Sequence, residues 1–570
     1  MELLAPSPAR VRQSAPPAWT PIGDRVELDA AAATDLARRL LAPEAARLLA
    51  ALHDALEPER QALIAERLRC ARRYDAGYTP GFLPEGAHPD AHGDWRVAPL
   101  PADLRRRRVE ITGPVHSAKM VINMLSRTEG GHRADAAMLD FEDSLKPSWT
   151  NVMNGMANVI GVADGTLTHV QPGTDGAPEK VYRLDPADMP VVMVRVRGLH
   201  LSESNVRVDG APVSAGLFDF ALVAFHTARA YVEQGKTPAF YVPKCESYLE
   251  ARWWNRLFVL VQEALGLPVG TIRATFLIET LPAAFQMEEI LYEIRAHAAG
   301  LNGGRWDKIF SDIKVLKEHE DRILADRASI GMNRPWMRDY ARLLIKTCHR
   351  HGAFGMGGMA AFTPGKTAER RAEQTAKVAA DKAFEASIGH DGCWVSHPYF
   401  IGPALAAFPR ENQLDVLPDV ADRPDLLPLA TGPKTLGGLR TNVRVGIAYL
   451  QGWNDGLGCV AWDDLMEDLA TLEISRAQTW QWLHHGVKLD GGEHVTLALV
   501  RRVFAEEHAR IEADLHADGA SDALVQSFAK ARVQSEAVFT ERTFRPFLTC
   551  VSEPESDRLA GRGSLHDAHC

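Results

Sequence analysis

What this sequence lacks excludes several classes of protein. No apolar run approaches the roughly 20 residues that span a bilayer, and the N-terminal residues have no continuous apolar core of the kind found in a secretory signal. The formal net charge is −10 over 570 residues, whereas a general nucleic-acid-binding protein needs a basic face. We therefore expect neither a membrane nor a nucleic acid as a partner.

Cysteine is scarce and carries no recognisable motif. The seven cysteines form no Cys-X-X-Cys pair, so their spacing predicts neither a disulfide framework nor a structural zinc site. No Gly-X-Gly-X-X-Gly motif opens a helix after a strand, which disfavours a doubly wound dinucleotide-binding sheet. With 46% hydrophobic and 24% charged residues, the composition is that of a reduced, cytoplasmic protein of enzyme size.

Composition and periodicity divide the chain into five segments. Apolar residues recur at helical spacing in LARRLLAPEAARLLAALHDAL and again throughout 437–548, whereas DVLPDVADRPDLLPLATGPK is rich in proline and aspartate. A chain of this length is too long for one ordinary core. The predicted segments are an N-terminal helical clasp (1–105), a barrel (106–405), a linker (406–436), a C-terminal helical domain (437–550) and a polar tail (551–570).

The middle segment alternates between strand-like and helix-like stretches. Helices are expected at SYLEARWWNRLFVLVQEALG and LPAAFQMEEILYEIRAHAAG, and a hairpin excursion within 160–190. This alternation predicts a parallel sheet closed as a (β/α)₈ barrel, with a doubly wound sheet as the alternative. Strands are predicted at 109–113, 136–141, 191–197, 239–243, 274–279, 308–313 and 393–397.

Charged side chains follow several of the predicted strands. Glu279 ends ATFLIE and Asp307 follows a glycine-bearing turn, and such a pair is what an oxygen-ligated Mg²⁺ site requires. Arg195 and Arg197 end VVMVRVR, where a guanidinium suits an anionic substrate or an enolate. The alternatives are a helix N-cap for each carboxylate and a structural ion pair for each arginine. The residues alone therefore predict an anion-handling barrel enzyme.

Longer blocks of sequence resemble the malate synthases of the A isoform. Among them are LDFEDS, VRVRGLHL, YVPKCESYLEARWWN, TIRATFLIETLPAAFQMEEILYE, AGLNGGRWDKIFSDIK and LMEDLATLEISRAQTWQWLHHG. The blocks follow the order of that family across two-thirds of the chain. The resemblance implies an Mg²⁺-dependent Claisen condensation of acetyl-CoA with glyoxylate, followed by thioester hydrolysis to (S)-malate and CoA, in the glyoxylate bypass of the tricarboxylic acid cycle.

The resemblance also implies a role for individual residues. Asp468 in LMEDLATLEISR matches the catalytic aspartate that takes the methyl proton, and it lies in the C-terminal helical domain. Arg195 matches the arginine that contacts glyoxylate and stabilises the enolate oxygen. Glu279 and Asp307 match the two Mg²⁺ ligands. The residues expected to receive glyoxylate around the GRWD turn are Gly304, Arg305, Trp306 and Asp307.

Three further residues are expected beside this site. Glu142 and Asp143 are hypothesised to orient metal-bound water or the arginine. Cys459 lies in GCVAWD, where the family has GCVPIY, and we expect it to form part of the pocket wall rather than act as a nucleophile.

Two other functions compete with this interpretation. A related Mg²⁺-dependent barrel lyase acting on malyl-CoA lacks a long C-terminal helical domain, which this chain has. A non-catalytic binding protein on the same scaffold, such as an adhesin, would be favoured by loss of one of the four matched residues, and all four are present. The sequence leaves open whether the protein is a monomer or a homo-oligomer.

Overall fold

Eight parallel strands close into a barrel at the centre of the molecule. The computed structural model describes residues 19–173 and 178–549, so the predicted polar tail lies outside the described residues. Each strand pairs with the next along the chain, and the eighth pairs with the first, which confirms the predicted (β/α)₈ barrel. The strands are β1 (Val109–Pro114), β2 (Ala136–Asp140), β3 (Val191–Arg195), β4 (Ala239–Val242), β5 (Arg273–Leu277), β6 (Ala298–Asn302), β7 (Phe354–Ala360) and β8 (Gly392–Val395).

Helices surround the barrel and bury their apolar faces against it. Trp253, Trp254 and Phe258 of one helix are fully buried in the main core between strands and helices. Burial of such aromatic side chains supplies a large part of the driving force for this packing. The barrel helices are Ala118–Leu125, Trp149–Ala163, Ala215–Glu233, Tyr248–Leu265, Leu281–Ala284, Met287–Glu293, Trp306–Val315, Pro335–His351, Ala368–Ile388 and Ile401–Ala407.

Two predicted elements of the barrel are wrong. Residues 308–313, predicted as a strand, lie in the helix Trp306–Val315, because Ile309, Phe310 and Ile313 share one face at helical spacing. The helix predicted over LPAAFQMEEILYEIRAHAAG stops at Glu293, and its last residues begin β6. The strands β6 and β7 escaped prediction because AAGLN and FGMGGMA are rich in alanine and glycine, which have low strand propensity.

The N-terminal segment is joined to the barrel by a small sheet and two helices. The strands Trp19–Ile22 and Val26–Asp29 pair with Ser202–Val208 and Ala211–Ser214 in an antiparallel sheet. The helical pattern of this segment forms two helices, Asp35–Leu40 and Pro43–Asp75. The predicted excursion is the antiparallel hairpin of Thr168–Gln171 and Lys180–Arg183. Cys70 is disulfide-bonded, which the spacing of the cysteines did not predict.

The C-terminal segment is helical and packs over one end of the barrel. Its apolar side chains form a core of their own, and a second cluster unites Ile474 and Trp480 with Ile309 and Phe310 of the barrel helix. None of the helices in the described residues has the length and apolar character needed to cross a bilayer. The elements are Leu436–Asn454, a hairpin of Val460–Trp462 and Leu465–Glu467, then Leu469–His484, Leu497–Ala517 and Asp522–Phe539.

Candidate active site

The carboxyl ends of the barrel strands and the start of one C-terminal helix enclose a common cavity of 880 Å³. The carboxyl ends of parallel barrel strands face one side of the barrel, so residues distant in sequence meet there. Most of the predicted site residues line this cavity: Asp143, Arg195, Glu279, Gly304, Arg305, Trp306, Asp307, Cys459 and Asp468. The structure therefore brings the two predicted Mg²⁺ ligands, the predicted arginine and the predicted base to one place.

Arg195 is the last residue of β3 and is held by carboxylates from the end of β2. Its Nε and Nη2 donate to Asp140 at 2.7 and 2.6 Å, and its Nη1 lies 3.2 Å from Glu142 and 3.4 Å from Asp143. Burial alone would lower the pKa of Arg195, but these carboxylates raise it well above its ordinary value. The guanidinium is therefore a permanent positive charge with a fixed orientation.

Arg197, two residues further on, belongs to a different network. Its Nη1 donates to Glu203 at 2.9 Å and its Nη2 to Asp219 at 2.7 Å. Arg197 therefore forms structural ion pairs, which was the alternative to a role in binding an anionic substrate.

Lys244 occupies the centre of the site, although the sequence analysis did not single it out. Its ammonium lies 3.1 Å from Glu142, 2.8 Å from Asp143, 3.3 Å from Glu279 and 2.9 Å from Asp307. The residue lies two positions after the end of β4 with a φ of +57°, a conformation that few bulky residues adopt. The sequence did carry a signal for Lys244, because this residue immediately follows the predicted strand 239–243. Arg195 and Glu279 were identified from the same kind of position, at the ends of other predicted strands.

The neighbouring carboxyl groups have pKa values that are shifted in different directions. Burial and the Asp143 carboxylate raise the pKa of Glu142 well above its ordinary value. The same two causes raise the pKa of Asp307. Burial opposes ionisation of Asp143 as well, but the Lys244 and Arg195 cations lower its pKa. The Asp143 carboxylate therefore stays ionised beside these two cations.

The donor chemistry around Glu279 and Asp307 fits an oxygen-ligated divalent cation. Oδ1 of Asp143 and Oδ1 of Asp307 are buried and accept no hydrogen bond among the described residues, although Oδ1 of Asp307 faces the Lys244 ammonium. Two carboxylates suffice for Mg²⁺, which commonly keeps water or substrate as its other ligands. In the described part of the chain, no three His, Cys, Asp or Glu side chains are grouped to hold a metal ion. A Mg²⁺ ion held by Glu279 and Asp307 would complete its coordination with water or substrate.

The turn that precedes Asp307 presents the start of a helix to the cavity. Arg305 is the N-cap of the helix Trp306–Val315, and its guanidinium lies 4.2 Å from the centre of the Trp306 ring. The first backbone N–H groups of a helix lack partners within the helix and favour an anion. A Cβ on Gly304 would lie 3.1 Å from Cβ of Glu279, so this turn approaches the predicted metal ligand closely.

Asp468 caps a helix and also faces the cavity. Its Oδ1 accepts a hydrogen bond from the Thr471 backbone N–H at 3.3 Å, and the Thr471 hydroxyl accepts one from the Asp468 backbone N–H at 3.0 Å. Burial and the Asp143 carboxylate nevertheless raise the pKa of Asp468 to about 7. Capping of the helix and the role of a base are thus compatible in this residue.

Cys459 forms part of the cavity wall, as the sequence analysis predicted. Burial, together with the nearby Asp468 carboxylate, raises the pKa of the Cys459 thiol to about 12. A thiol with this pKa stays protonated at neutral pH and is a poor nucleophile.

Comparison with known proteins gives the chain its family. Residues 191–421 match the family described as Malate synthase, TIM barrel domain, and residues 433–552 and 31–88 match its C-terminal and N-terminal domains. Malate synthase A of Escherichia coli (strain K12) is 45% identical over 488 residues, which are 84% of this chain and 89% of that protein. The chain belongs to the malate synthase family.

Other malate synthases are similar over most of their length. The malate synthase of Myxococcus xanthus (strain DK1622) is 46% identical over 519 residues, covering 90% of this chain and 93% of the relative. A solved structure described as the Haloferax volcanii malate synthase magnesium/glyoxylate complex is 14% identical with a TM-score of 0.42, covering 74% of this chain and 98% of that one. Similarity as distant as the latter says nothing about the ligands of this chain. As a malate synthase, the chain is an acyltransferase.

Proposed function

We propose that this malate synthase condenses acetyl-CoA with glyoxylate in an Mg²⁺-dependent reaction and hydrolyses the resulting thioester, giving (S)-malate and CoA. The observation that carries the proposal is the convergence of Arg195, Glu279, Asp307 and Asp468 on one cavity. We also propose that residues 106–405 form the domain that holds glyoxylate and the metal, and that residues 437–550 form the domain that delivers the base.

Asp468 removes a proton from the acetyl methyl group. A thioester methyl group is a very weak acid, so the negative charge must be stabilised as it develops. The pKa of Asp468, raised to about 7, makes its carboxylate a stronger base than an exposed aspartate while leaving it ionised above neutral pH. Arg195, buried and 4% exposed, offers a fixed positive charge to the enolate oxygen.

Glyoxylate binds between the barrel strands and the turn 304–306. The N-terminus of the helix Trp306–Val315 receives its carboxylate, because unpaired backbone N–H groups favour an anion there. Glu279 and Asp307 would hold Mg²⁺, which supplies Lewis-acid polarisation of the aldehyde. Glu142 and Asp143 hold the Arg195 guanidinium and the Lys244 ammonium in place.

Acetyl-CoA occupies the remainder of the cavity, which extends from the strand ends to the loop that follows the helix Ala118–Leu125. The cavity is large enough for an extended ligand, and its walls come from both proposed domains. Closure of the helical domain over the barrel excludes water while the enolate exists, which protects the enolate from protonation by water. Residues along the outer part of the cavity include Met120, Arg127, His132, Lys180 and Tyr399.

The proposed function is tested by release of CoA thiol from acetyl-CoA. Release should require both glyoxylate and Mg²⁺, and absence of release by the purified, folded protein would contradict the proposal. Asp468→Asn should abolish turnover while Mg²⁺ and glyoxylate still bind, measured by titration calorimetry. The matched control is Asp463→Asn, which removes a carboxylate from the preceding hairpin turn that pairs with Arg444. Comparable loss of glyoxylate binding in Asp468→Asn would count against its role as the base.

A further inference from the structure

One arginine of the barrel contacts two residues that lie on either side of the proposed base in the sequence. Arg327 lies in a short turn, Arg327–Ser329, that follows the helix Trp306–Val315, and it is 5% exposed. Its Nη1 donates to the backbone oxygen of Thr471 at 3.2 Å, and its Nη2 donates to Oε1 of Glu467 at 3.3 Å. Asp468 lies between these two acceptors in the sequence.

The same guanidinium also contacts the proposed glyoxylate turn. Arg327 lies 5.5 Å from the centre of the Trp306 ring, at a distance typical of cation–π contacts. Trp306 directly precedes the proposed metal ligand Asp307 and lines the cavity. One side chain thus connects the turn that would receive glyoxylate with the turn that carries the base.

Glu467 depends on this contact for charge compensation. It is 2% exposed, and its Oε2 accepts no hydrogen bond among the described residues. Removal of one partner from a buried ion pair leaves an uncompensated charge. The residue that carries this charge then moves towards water or another partner. Movement of Glu467 would move Asp468, its neighbour in the chain.

The two hydrogen bonds between Asp468 and Thr471 orient Asp468 only within its own helix. Two backbone contacts attach the same turn to the barrel, from the Met466 N–H to Ala361 and from the Leu469 N–H to Asp143. These contacts limit translation of the turn, and Arg327 adds a side-chain attachment to it. Arg327 is therefore the part of this attachment that substitution can remove.

We propose that Arg327 is a positioning residue that fixes the Asp468 carboxylate relative to bound glyoxylate. The proposal rests on the proposed function, since it assumes that Asp468 is the base. Arg327 does not line the cavity and does not touch the reacting atoms. Its effect on the reaction is exerted through geometry, because displacement of a reacting group by about 1 Å can cost about 100-fold in rate.

Arg327→Met removes both hydrogen bonds while keeping much of the apolar stem. We expect kcat to fall by about 10- to 100-fold, with glyoxylate and Mg²⁺ affinities changed by less than about threefold in titration calorimetry. Arg327→Lys keeps the charge but cannot reach both acceptors with a planar fork, so it should recover part of the lost kcat. The matched control is Arg322→Met, since Arg322 lies in the same loop and donates to Pro428 instead.

A kinetic isotope effect separates positioning from a general loss of structure. With acetyl-CoA deuterated at the methyl group, Arg327→Met should show a larger isotope effect on kcat than the wild type, because proton removal becomes slower relative to the other steps. A merely structural role would lower the melting temperature and the fraction of active protein without changing the isotope effect. If Arg327→Met does not fold, the isotope effect of Arg327→Lys decides the matter in the same way.

The outcomes distinguish the two proposals. Absence of thiol release by the wild type contradicts the proposed function itself. An active wild type with unchanged kcat and isotope effect in Arg327→Met overturns the positioning role alone. Loss of glyoxylate binding together with kcat also overturns it, since the glyoxylate turn would then be disrupted along with the base.

Discussion

The carboxylate of Asp468 experiences opposing influences at the scale of a single residue. The hydrogen bond from the Thr471 backbone favours the ionised form, and so do the Arg195 and Lys244 cations. Burial and the Asp143 carboxylate oppose ionisation more strongly, which places the pKa at about 7. The proximity of Asp143 to this carboxylate arises from the fold.

The activity should depend on pH through this carboxyl group. Because only the ionised form of Asp468 accepts a proton, kcat/KM for acetyl-CoA should rise as pH increases through about 7 and level off above it. Asp143→Asn removes the repelling charge, so the acid limb should move to lower pH. The measurement is a pH profile at saturating Mg²⁺ and glyoxylate. A profile with the same midpoint in both proteins would show that Asp143 does not set the pKa of the base.

At the scale of elements, local sequence preference and barrel closure disagree at β6. The strand is short and rich in alanine and glycine, yet it pairs with β5 and β7 along its length. Gly300 lies where the register with β5 shifts, and its φ is +152°. A Cβ at this position would lie 2.3 Å from the backbone oxygen of Phe354 in β7. The absence of a side chain lets these strands approach.

Gly300→Ala should therefore destabilise the barrel more than an ordinary glycine substitution. The new Cβ would meet backbone that cannot move without breaking strand pairing, so we expect a loss of about 3 kcal/mol or more in the free energy of unfolding. Urea unfolding at neutral pH measures the change. Gly81→Ala is the control, because a Cβ at that position would meet nothing within 4 Å. Equal unfolding midpoints for the two variants would contradict this account.

At the scale of the whole molecule, the barrel and the C-terminal helices share an apolar cluster. Ile309 and Phe310 of the barrel helix pack with Ile474 and Trp480 of the helix that begins after Asp468. The base-bearing helix is thus anchored to the same barrel helix whose first turn carries Asp307. Packing between these two helices couples the proposed base to the proposed metal ligand.

Phe310→Ala should weaken both regions together. Truncation of a buried phenylalanine costs about 3–5 kcal/mol, and here the lost contacts lie between the barrel and the C-terminal helices. We expect a lower melting temperature and a single unfolding transition seen by both tryptophan fluorescence and circular dichroism. Val533→Ala, at a position that is 59% exposed, should change the free energy of unfolding by less than about 0.5 kcal/mol. Two separate transitions in Phe310→Ala would show that the regions unfold independently.

Local sequence determined the elements whose periodicity was strong. Helices such as Tyr248–Leu265 and strands such as β3 follow from apolar spacing, and residues at the ends of predicted strands gave most of the proposed site. The family resemblance supplied roles for Arg195, Glu279, Asp307 and Asp468 that periodicity could not. The chemistry of the site was therefore largely present in the sequence.

Only the tertiary structure decided which charges meet. Lys244 stands among four carboxylates because the ends of β2, β4, β5 and β6 converge, and no local pattern encodes that convergence. β6 and β7 are strands because the barrel must close, against the preference of their own residues. Arg327 reaches Glu467 and Thr471 across about 140 residues of sequence. Long-range packing fixes such contacts, since burial and charge pairing are properties of the folded chain.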